Sequence, residues 1–313
     1  MAKKKTNIND SKKSKRSLLY TIVVTILFAI ACLNGRLMPQ DEKMEQGDFA
    51  LSDAEFQVHM INVGQADSIL VIADGEAMLI DAAESGNAQT ILDYLAAQNI
   101  KELKYAAATH MHADHIGGYG KVFAGIKVKT VLEPVYADSL VPTTKTYERY
   151  LDGIDVTGAK LRAAKAGSTY QLGSATITVL GPVSKNADDL NNTSLVLRVD
   201  YEDVSCLFTG DMEEPEEEEI LASGADLDVD YLKVGHHGAS TSSSEAFLAA
   251  VTPQYAAISC GEGNDYGHPT PEALERLGVH TDNILITKDV GDVVFCYDKD
   301  TGTCSFTGTD TKE

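Results

Sequence analysis

One short segment carries most of the chain's potential chemistry. Residues 109–115 read Thr-His-Met-His-Ala-Asp-His, which places three imidazoles and one carboxylate within six positions. In extended backbone, the side chains of His110 and His112 point the same way. If Asp114 caps a helix that begins there, Asp114 and His115 turn toward the same space from the other side. Such a set of nitrogen and oxygen ligands suits zinc, manganese or iron.

Two later segments offer further ligands for a site with two divalent ions. Asp211 ends the run Leu-Phe-Thr-Gly-Asp, and the pair His236 and His237 lies in Val-Gly-His-His-Gly. Both segments follow apolar strands, so both are expected at strand ends, where loops build sites. We expect Asp211 to bridge two cations and one histidine of the pair to be a ligand, and the sequence does not choose which. Zinc is the expected metal, with manganese as the alternative.

Two residues are candidates for direct catalytic roles. Asp114 is expected to orient an attacking hydroxide while it also contacts one metal. His268, in a Gly-His-Pro loop, is expected to donate to a substrate oxygen or to protonate a leaving group. The alternative for His268 is a structural histidine at the entry of the helix that follows. His59 alternates with apolar neighbours and His280 lies in a loop, so both are interpreted as structural.

The elements that must position these residues follow from hydrophobic periodicity and turn residues. Strands are predicted at residues 56–63, 68–73, 77–81, 105–109, 127–132, 169–180, 194–200, 204–209, 229–234, 255–259 and 284–287, with a hairpin at 293–306. Helices are predicted at about 88–96, 215–222, 244–250 and 271–277. Strands dominate two stretches of the chain and helices follow each stretch. This order predicts a mixed α/β (α+β) domain with two sheets, each carrying helices on its outer side.

The N-terminal region differs from the rest of the chain. Residues 1–17 are basic and are expected to be a cytoplasmic tail, since a basic flank sets the N-terminus inside. The apolar run 18–33 is expected to be a membrane anchor, a cleaved signal or a lipoprotein signal ending near Cys32; a buried helix is the alternative. Residues 34–54 are expected to be a polar linker, and 55–313 the folded domain. Each targeting interpretation places that domain outside the cell or on its membrane.

Charge and cysteine content limit the possible partners. The chain carries 26 basic and 47 acidic side chains, for a net charge of −21. Eight of the basic groups and only one acid lie in the first 40 residues, so the remainder is more acidic still. Such a field disfavours tight, nonspecific binding of nucleic acid. Five cysteines are too few for a disulfide framework, although Cys296 and Cys304 flank a turn and a bridge between them is one possibility.

The motif set resembles the metallo-β-lactamase superfamily, and in finer features the C-terminal hydrolase domain of the ComEC competence proteins. The resemblance covers roughly residues 55–300, through Asn-Val-Gly-Gln-Ala-Asp-Ser (62–68), Leu-Ile-Asp (79–81), Asn-Asn-Thr-Ser (191–194) and Tyr-Gly-His-Pro (266–269). It also extends to teichoic-acid phosphorylcholine esterases. It implies a four-layer αββα sandwich. Asp67 and Asp81 are expected to support the ligand histidines from behind.

The sequence also departs from this resemblance. The many-helix channel of full-length ComEC proteins is missing, so a role in DNA translocation is not carried over. Asn192 stands near the position where many superfamily members have a further metal-binding histidine. This departure predicts six protein ligands instead of seven, with room for a substrate oxygen, and favours phosphoester chemistry.

The leading hypothesis is therefore an exported or membrane-anchored hydrolase that cleaves a phosphoester or phosphodiester through a metal-bound hydroxide. The alternatives are a nuclease-like hydrolase associated with DNA uptake, a phosphorylcholine esterase, and a binding module that has lost catalysis. A choline site would require an aromatic cage, which only Tyr and Phe could build because the chain has no Trp.

Overall fold

A computed structural model describes residues 54–185 and 187–310. The predicted tail at 1–17, the predicted anchor or signal at 18–33 and all but the last residue of the predicted linker at 34–54 lie outside the described residues. Within the described ranges, no helix combines the length and the apolar character that a membrane crossing requires.

The first sheet has eight strands among the described residues, in the order β15-β14-β1-β2-β3-β4-β5-β6. The strands are β1 (Phe56–Met60), β2 (Ile69–Ala73), β3 (Glu76–Ile80), β4 (Glu102–Ala107), β5 (Lys127–Pro134), β6 (Lys160–Ala164), β14 (Val293–Asp298) and β15 (Thr303–Gly308). The half of the sheet from β15 to β3 is antiparallel, whereas β3, β4, β5 and β6 run parallel.

The second sheet has seven strands in the described part of the chain, in the order β13-β12-β11-β10-β9-β8-β7. The strands are β7 (Thr169–Leu172), β8 (Ala175–Gly181), β9 (Val196–Tyr201), β10 (Val204–Phe208), β11 (Tyr231–Lys233), β12 (Tyr255–Ile258) and β13 (Ile284–Ile286). Strands β10 to β13 are parallel and β7 to β10 are antiparallel. Both sheets are therefore mixed, as the predicted sandwich requires.

Helices cover the outer face of each sheet. They are α1 (Ala88–Ala97), α2 (Ala113–Ile116), α3 (Tyr119–Gly125), α4 (Lys145–Thr157), α5 (Glu214–Ser223), α6 (Glu245–Val251), α7 (Pro271–His280) and α8 (Thr287–Val290). Strand alternation separates the layers: in β2, Val71 belongs to the core between the sheets, while Leu70 packs with Ile91 of α1. A third core joins Leu232 of β11 to Phe247 of α6. The architecture is the predicted four-layer αββα sandwich.

Local predictions were wrong or incomplete at several places, including the short helices α3 and α8, which were not predicted. The stretch 169–180 is not one strand, because it turns at Gly173 (φ 56°) and pairs with itself as β7 and β8. Helix α4 was not predicted, since it buries only three residues and its outer face is polar. Strand β6 was also missed, because four of its five residues are exposed and it lacks an apolar pattern.

The possible bridge between Cys296 and Cys304 is not formed. In the β14–β15 hairpin, Cys296 lies opposite Ser305, and Cys304 lies opposite Tyr297. The two sulfur atoms consequently project to opposite faces of the sheet. No disulfide joins cysteines in the described part of the chain.

Candidate metal centre

The predicted ligands meet at the ends of three strands from both sheets. His110, His112, Asp114 and His115 follow β4 of the first sheet, and Asp211 follows β10 of the second sheet. His236 and His237 follow β11, which runs parallel to β10. The loops after β10 and β11 therefore begin at the same end of the sheet.

Four of these side chains form one compact group, here called the Asp114 group: Asp114, His115, Asp211 and His237. One potential ligand atom from each lies within 4.8 Å of the others. Asp211 Oδ2 is 3.2 Å from His115 Nε2 and 3.6 Å from His237 Nε2. Asp114 Oδ2 is 3.6 Å from His115 Nε2 and 3.4 Å from His237 Nε2. Two carboxylates and two imidazoles thus surround one small volume.

The other two predicted ligands form a pair beside this group, here called the His110 pair: His110 and His112. His110 Nε2 lies 2.9 Å from His112 Nδ1. The ring centroid of His110 is 4.1 Å from that of His115, so the pair adjoins the Asp114 group. His110 is buried and His112 is partly exposed. The structure therefore brings together all six side chains for which the sequence predicted a shared site.

The structure distinguishes the two neighbouring histidines of the late motif. His237 is buried and turns its Nε2 toward Asp114 and Asp211. His236 instead directs Nδ1 to Glu213 Oε1 at 3.1 Å, and its Nε2 is 3.8 Å from Asp211 Oδ2. Both histidines adopt left-handed backbone, with φ of 47° and 53°. This backbone turns His237 toward the other ligands.

The ligand histidines are oriented by hydrogen bonds on their far nitrogens. His115 Nδ1 is 2.7 Å from Asp81 Oδ2, and Asp81 also accepts from the backbone and hydroxyl of Thr109 at 2.8 and 2.6 Å. His237 Nδ1 is 2.8 Å from the carbonyl oxygen of Ser259. An acceptor at Nδ1 fixes the tautomer that leaves Nε2 available for a metal. Asp81 thus occupies the supporting position that was predicted for it.

Asp67 has a different principal partner from the predicted one. Its Oδ2 pairs with Lys233 Nζ at 2.5 Å, and both side chains are buried. Its Oδ1 is 3.4 Å from His237 Nδ1, which is a looser contact. Lys233 Nζ also donates to the carbonyl oxygen of Gly210 at 2.7 Å and lies 3.7 Å from Asp211 Oδ1. Asp67 therefore supports the centre mainly through Lys233.

The electrostatics of the centre favour a bound cation. Burial alone would raise the pKa of Asp211, but the positive charges of His115 and His237 hold its pKa well below the usual range. Burial alone would lower the pKa of His115, but the negative charges of Asp211 and Asp81 raise it well above its ordinary value. The carboxylate is thus ionised, and a metal would compete with a proton for His115.

Unpartnered atoms show that the side chains fit such an ion. His115 Nε2, His237 Nε2 and Asp211 Oδ1 are buried and have no hydrogen-bond partner within residues 54–185 and 187–310. A buried polar atom without a partner costs about 1–3 kcal/mol. Two imidazole nitrogens and the carboxylates of Asp114 and Asp211 are donors typical of zinc and manganese sites. A divalent cation would satisfy both nitrogens.

Asn192 does not reach the metal centre, which is a correction to its expected place behind the ligands. Its amide nitrogen lies 3.2 Å from Asp189 Oδ2, and its Oδ1 accepts from the backbone N–H of Glu213 at 3.2 Å. The preceding residue, Asn191, lines the metal cleft and has a buried Oδ1 without a hydrogen bond in the described structure. Asn191, rather than Asn192, therefore lines the metal cleft.

The centre opens into a cleft of about 330 Å³. The predicted catalytic residues Asp114 and His268 both line it, as do His236, Gln65 and Tyr266. The ring centroids of His268 and His236 are 5.5 Å apart. Burial lowers the pKa of His268, so a neutral imidazole faces the cleft at neutral pH. His59 and His280 lie elsewhere, with Gln57 and Glu245 as respective partners, as their structural interpretation requires.

Sequence reasoning missed four residues at this site: Lys233, Asn191, Glu213 and Tyr266. A signal existed for Lys233, because a lysine between Leu232 and Val234 in an apolar strand has to find a buried partner. Asn191 and Tyr266 lie in the motifs 191–194 and 266–269 that carry the family resemblance, whereas no signal marked Glu213, whose role depends on contact with His236.

With the fold and ligands in place, comparison with known proteins gives the class. The family model described as "Metallo-beta-lactamase superfamily" matches residues 61–262, which is more than half of the chain. The chain belongs to the metallo-β-lactamase superfamily.

Individual relatives confirm the predicted resemblance to ComEC proteins. The chain is 29% identical to ComE operon protein 3 of Bacillus subtilis (strain 168), over 92% of this chain and 40% of that protein. It is 32% identical to competence protein ComA of Neisseria gonorrhoeae, over 79% of this chain and 33% of that protein. The chain thus spans less than half the length of these relatives.

A solved structure supports the fold independently. A mutant of the CmlA β-hydroxylase aligns with a TM-score of 0.53 at 12% identity, over 78% of this chain and 54% of that chain. Similarity at this level of identity concerns the fold alone.

Proposed function

We propose that this protein is a metal-dependent hydrolase of phosphodiesters. The observation that carries the proposal is the Asp114 group, in which two carboxylates and two imidazoles converge and leave both imidazole Nε2 atoms buried without hydrogen bonds within the described ranges. Beside it, the His110 pair offers two more nitrogens for a second ion. Two adjacent cation sites suit in-line displacement at phosphorus.

The residues around the cleft have separable roles in this reaction. Divalent cations held there would lower the pKa of water and stabilise negative charge on the phosphoryl oxygens. Asp114 accepts a hydrogen bond from the attacking water and orients it. Asn191 contributes a polar amide, whose buried Oδ1 has no hydrogen bond in the described structure, at the wall of the cleft. His268, as a neutral imidazole, donates an N–H hydrogen bond to a substrate or leaving-group oxygen.

The same proposal includes the protein's location. The basic segment and apolar run at residues 3–33 support an exported domain that is anchored to a membrane or secreted. A hydrolase in that place would act on an extracellular phosphodiester. Zinc is the proposed metal, and manganese is the alternative.

The decisive experiment combines metal removal with a substrate screen. Purified protein is treated with a chelator, reloaded with Zn or Mn, and assayed with bis(p-nitrophenyl) phosphate, a phosphorylcholine ester and DNA. We expect hydrolysis of the simple diester that disappears on chelation and returns with metal. Asp211→Ala should remove it, whereas Asp203→Ala, at an exposed turn acid, should not.

The screen also separates the alternatives. Preference for the phosphorylcholine ester would identify an esterase of that kind, and preference for DNA a nuclease. A protein that binds the expected metals but hydrolyses none of the three substrates would contradict the proposal and identify a binding module.

A further inference from the structure

An aromatic ring lies exposed at the rim of the metal cleft. Tyr266 is 72% exposed, although it lines the same cleft as Asp114, Asp211 and His237. One face of its ring stacks on His268, with centroids 5.6 Å apart and planes inclined by 27°. Most large apolar side chains of the described structure are buried, so an exposed tyrosine beside candidate ligands is a site for contact with a flat group.

The loop that carries this ring is held in place by hydrogen bonds. Asn264 Nδ2 donates to the carbonyl oxygens of Gly261 and His268 at 2.9 and 2.7 Å, and its Oδ1 accepts from the backbone N–H of His268 at 3.0 Å. Gly267 between the two rings has φ of 71°, a left-handed conformation that glycine adopts without strain. Tyr266 is therefore presented on an ordered loop, which lowers the entropic cost of stacking.

The rim connects to the reacting centre through neighbouring rings. The centroids of His268 and His236 are 5.5 Å apart, and those of His236 and His237 are 6.2 Å apart. A row of neighbouring rings thus leads from Tyr266 through His268 and His236 to His237 of the Asp114 group, and all four line one cleft.

The surroundings of the cleft are unfavourable for a long polyanion. No Lys or Arg is among the described residues that line it. Glu262 and Asp265 lie exposed on either side of Asn264, in the loop that carries the tyrosine. A second cleft of about 320 Å³ is lined by Asn192, the neighbour of Asn191 in sequence, and by the acids Asp188, Asp189, Glu213 and Glu219. Phosphates beyond the one at the metals would therefore face carboxylates without compensating cations.

We propose that Tyr266 is a specificity-determining residue that stacks a nucleobase, and that the preferred substrates are short nucleoside phosphodiesters of low charge rather than polynucleotides. This inference rests on the proposed phosphodiester chemistry, and it adds the class of substrate. Stacking supplies binding that depends on the base ring but tolerates different bases, since every base has a flat π-face. The acidic side chains around the cleft, such as Glu262 and Asp265, disfavour the binding of substrates that carry additional phosphates.

A binding measurement tests the stacking without requiring turnover. Metal-loaded full-length protein is titrated calorimetrically with adenosine 5′-monophosphate and with ribose 5-phosphate, which lacks the base. We expect the nucleotide to bind about 5- to 100-fold more tightly, the range expected for one stacked base. Tyr266→Ala should abolish that difference and Tyr266→Phe should keep it. The control Val156→Ala, at another exposed apolar position, should match the unmodified protein. Equal affinity of the unmodified protein for both ligands would overturn the stacking role.

A turnover measurement tests the length and charge preference. A dinucleoside monophosphate, its analogue with two abasic units and a 20-nucleotide single strand are compared at equal concentration of scissile bonds. We expect the dinucleotide to have the highest kcat/KM at low salt and the long strand to gain rate as salt screens its repulsion. Tyr266→Ala should raise KM for the dinucleotide by about 5- to 100-fold and leave the abasic analogue unchanged. Faster hydrolysis of the long strand at low salt would overturn the preference for low charge.

Failure of this inference is distinguishable from failure of the proposed function. If bis(p-nitrophenyl) phosphate is hydrolysed while the dinucleotide and its abasic analogue react equally, the hydrolase remains and the stacking role is excluded. If no phosphodiester is hydrolysed and the nucleotide still binds through Tyr266, the proposed reaction is excluded and the stacking site remains.

Discussion

The two halves of the metal centre, the Asp114 group and the His110 pair, differ in the hydrogen bonds that orient their ligands. In the Asp114 group, His115 is held by Asp81 at 2.7 Å and His237 by the carbonyl of Ser259 at 2.8 Å. In the His110 pair, His110 Nδ1 lies 3.2 Å from the hydroxyl of Thr109. The partner His112 is partly exposed and contacts His110 itself at 2.9 Å. One half has two histidines oriented by hydrogen bonds to Asp81 and Ser259, and the other has two histidines that contact each other.

This difference implies that two ions in the cleft would be bound with different affinities. Outer hydrogen bonds raise the basicity of ligands and fix their direction, and their loss typically lowers metal affinity about 10- to 100-fold. We therefore expect the Asp114 group to bind its ion more tightly than the His110 pair. The second ion would depend on Asp211 and on oxygen from the substrate.

The largest expected effect comes from the carboxylate that both halves share. We hypothesise that Asp211 bridges the two ions, because its Oδ2 is the carboxylate oxygen of the Asp114 group nearest to His115 Nε2, at 3.2 Å. Asp211→Ala should remove both metals and lower phosphodiester turnover by at least about 100-fold, since several kcal/mol of charge stabilisation is lost. Elemental analysis under equal metal supply measures this, with Asp203→Ala as the control. Retention of nearly two metals per chain with ordinary activity would make Asp211 a turn residue.

A paired change compares the halves directly. His110→Ala should remove mainly one ion, because the other keeps Asp114, His115, Asp211 and His237. His237→Ala should instead cost the tightly held ion, and with it most of the total metal affinity. Competitive titration of each variant with a chromogenic chelator gives the two dissociation constants. Equal losses in the two variants would contradict the unequal halves.

The outer hydrogen bond itself can be tested with a smaller change. Asp81→Asn keeps the shape of the side chain but removes the charge that polarises His115. We expect about 10- to 100-fold weaker binding at the Asp114 group, with little effect at the His110 pair. Asp93→Asn, at an exposed acid of α1, is the matched control. If the binding of both ions were weakened to the same extent, Asp81 would act through the stability of the whole fold and not through His115.

The last comparison concerns His59, a buried histidine outside the cleft, where the expected effect is on folding stability and not on metal binding. His59 is as buried as His115, but both of its nitrogens have partners, Tyr94 and Gln57, at 2.9 Å. Burial lowers its pKa to about 4. The folded protein therefore keeps His59 neutral between pH 4 and the ordinary value near 6.5, while the unfolded chain takes up a proton. The contribution is fully present above about pH 6.5 and is lost progressively toward pH 4.

The measurement is urea unfolding at several pH values with chelator present, so that metals do not contribute. We expect His59 to account for a loss of about 3 kcal/mol between pH 6.5 and 4. His59→Gln should remove that part of the pH dependence. Identical pH profiles of the two proteins would show that His59 does not titrate in this range.

The sequence was sufficient for the parts of the molecule that local patterns determine. Apolar stretches bounded by turn residues predicted most strands of both sheets. The closely spaced histidines and aspartate after β4 predicted the place of the metal centre. The choice between His236 and His237 was not predictable, because it depends on two consecutive left-handed residues. The pairing of Lys233 with Asp67 was not predictable either, because it forms only when β11 packs against a loop 166 positions earlier. Long-range packing, and not composition, decides such contacts.

The candidate metal ligands come from both sheets, so metal binding and folding of the protein are linked. His110 and His115 belong to the first sheet, and Asp211 and His237 to the second. A chain in which only the first sheet has formed holds just two of the four ligands of the Asp114 group, Asp114 and His115. Tight metal binding therefore requires that the two sheets have packed against each other. Above the dissociation constant, the free energy by which the metal would stabilise the packed state increases with the logarithm of the metal concentration. If the centre binds a metal as proposed, the folded fraction of this protein should rise with the metal supply of its surroundings.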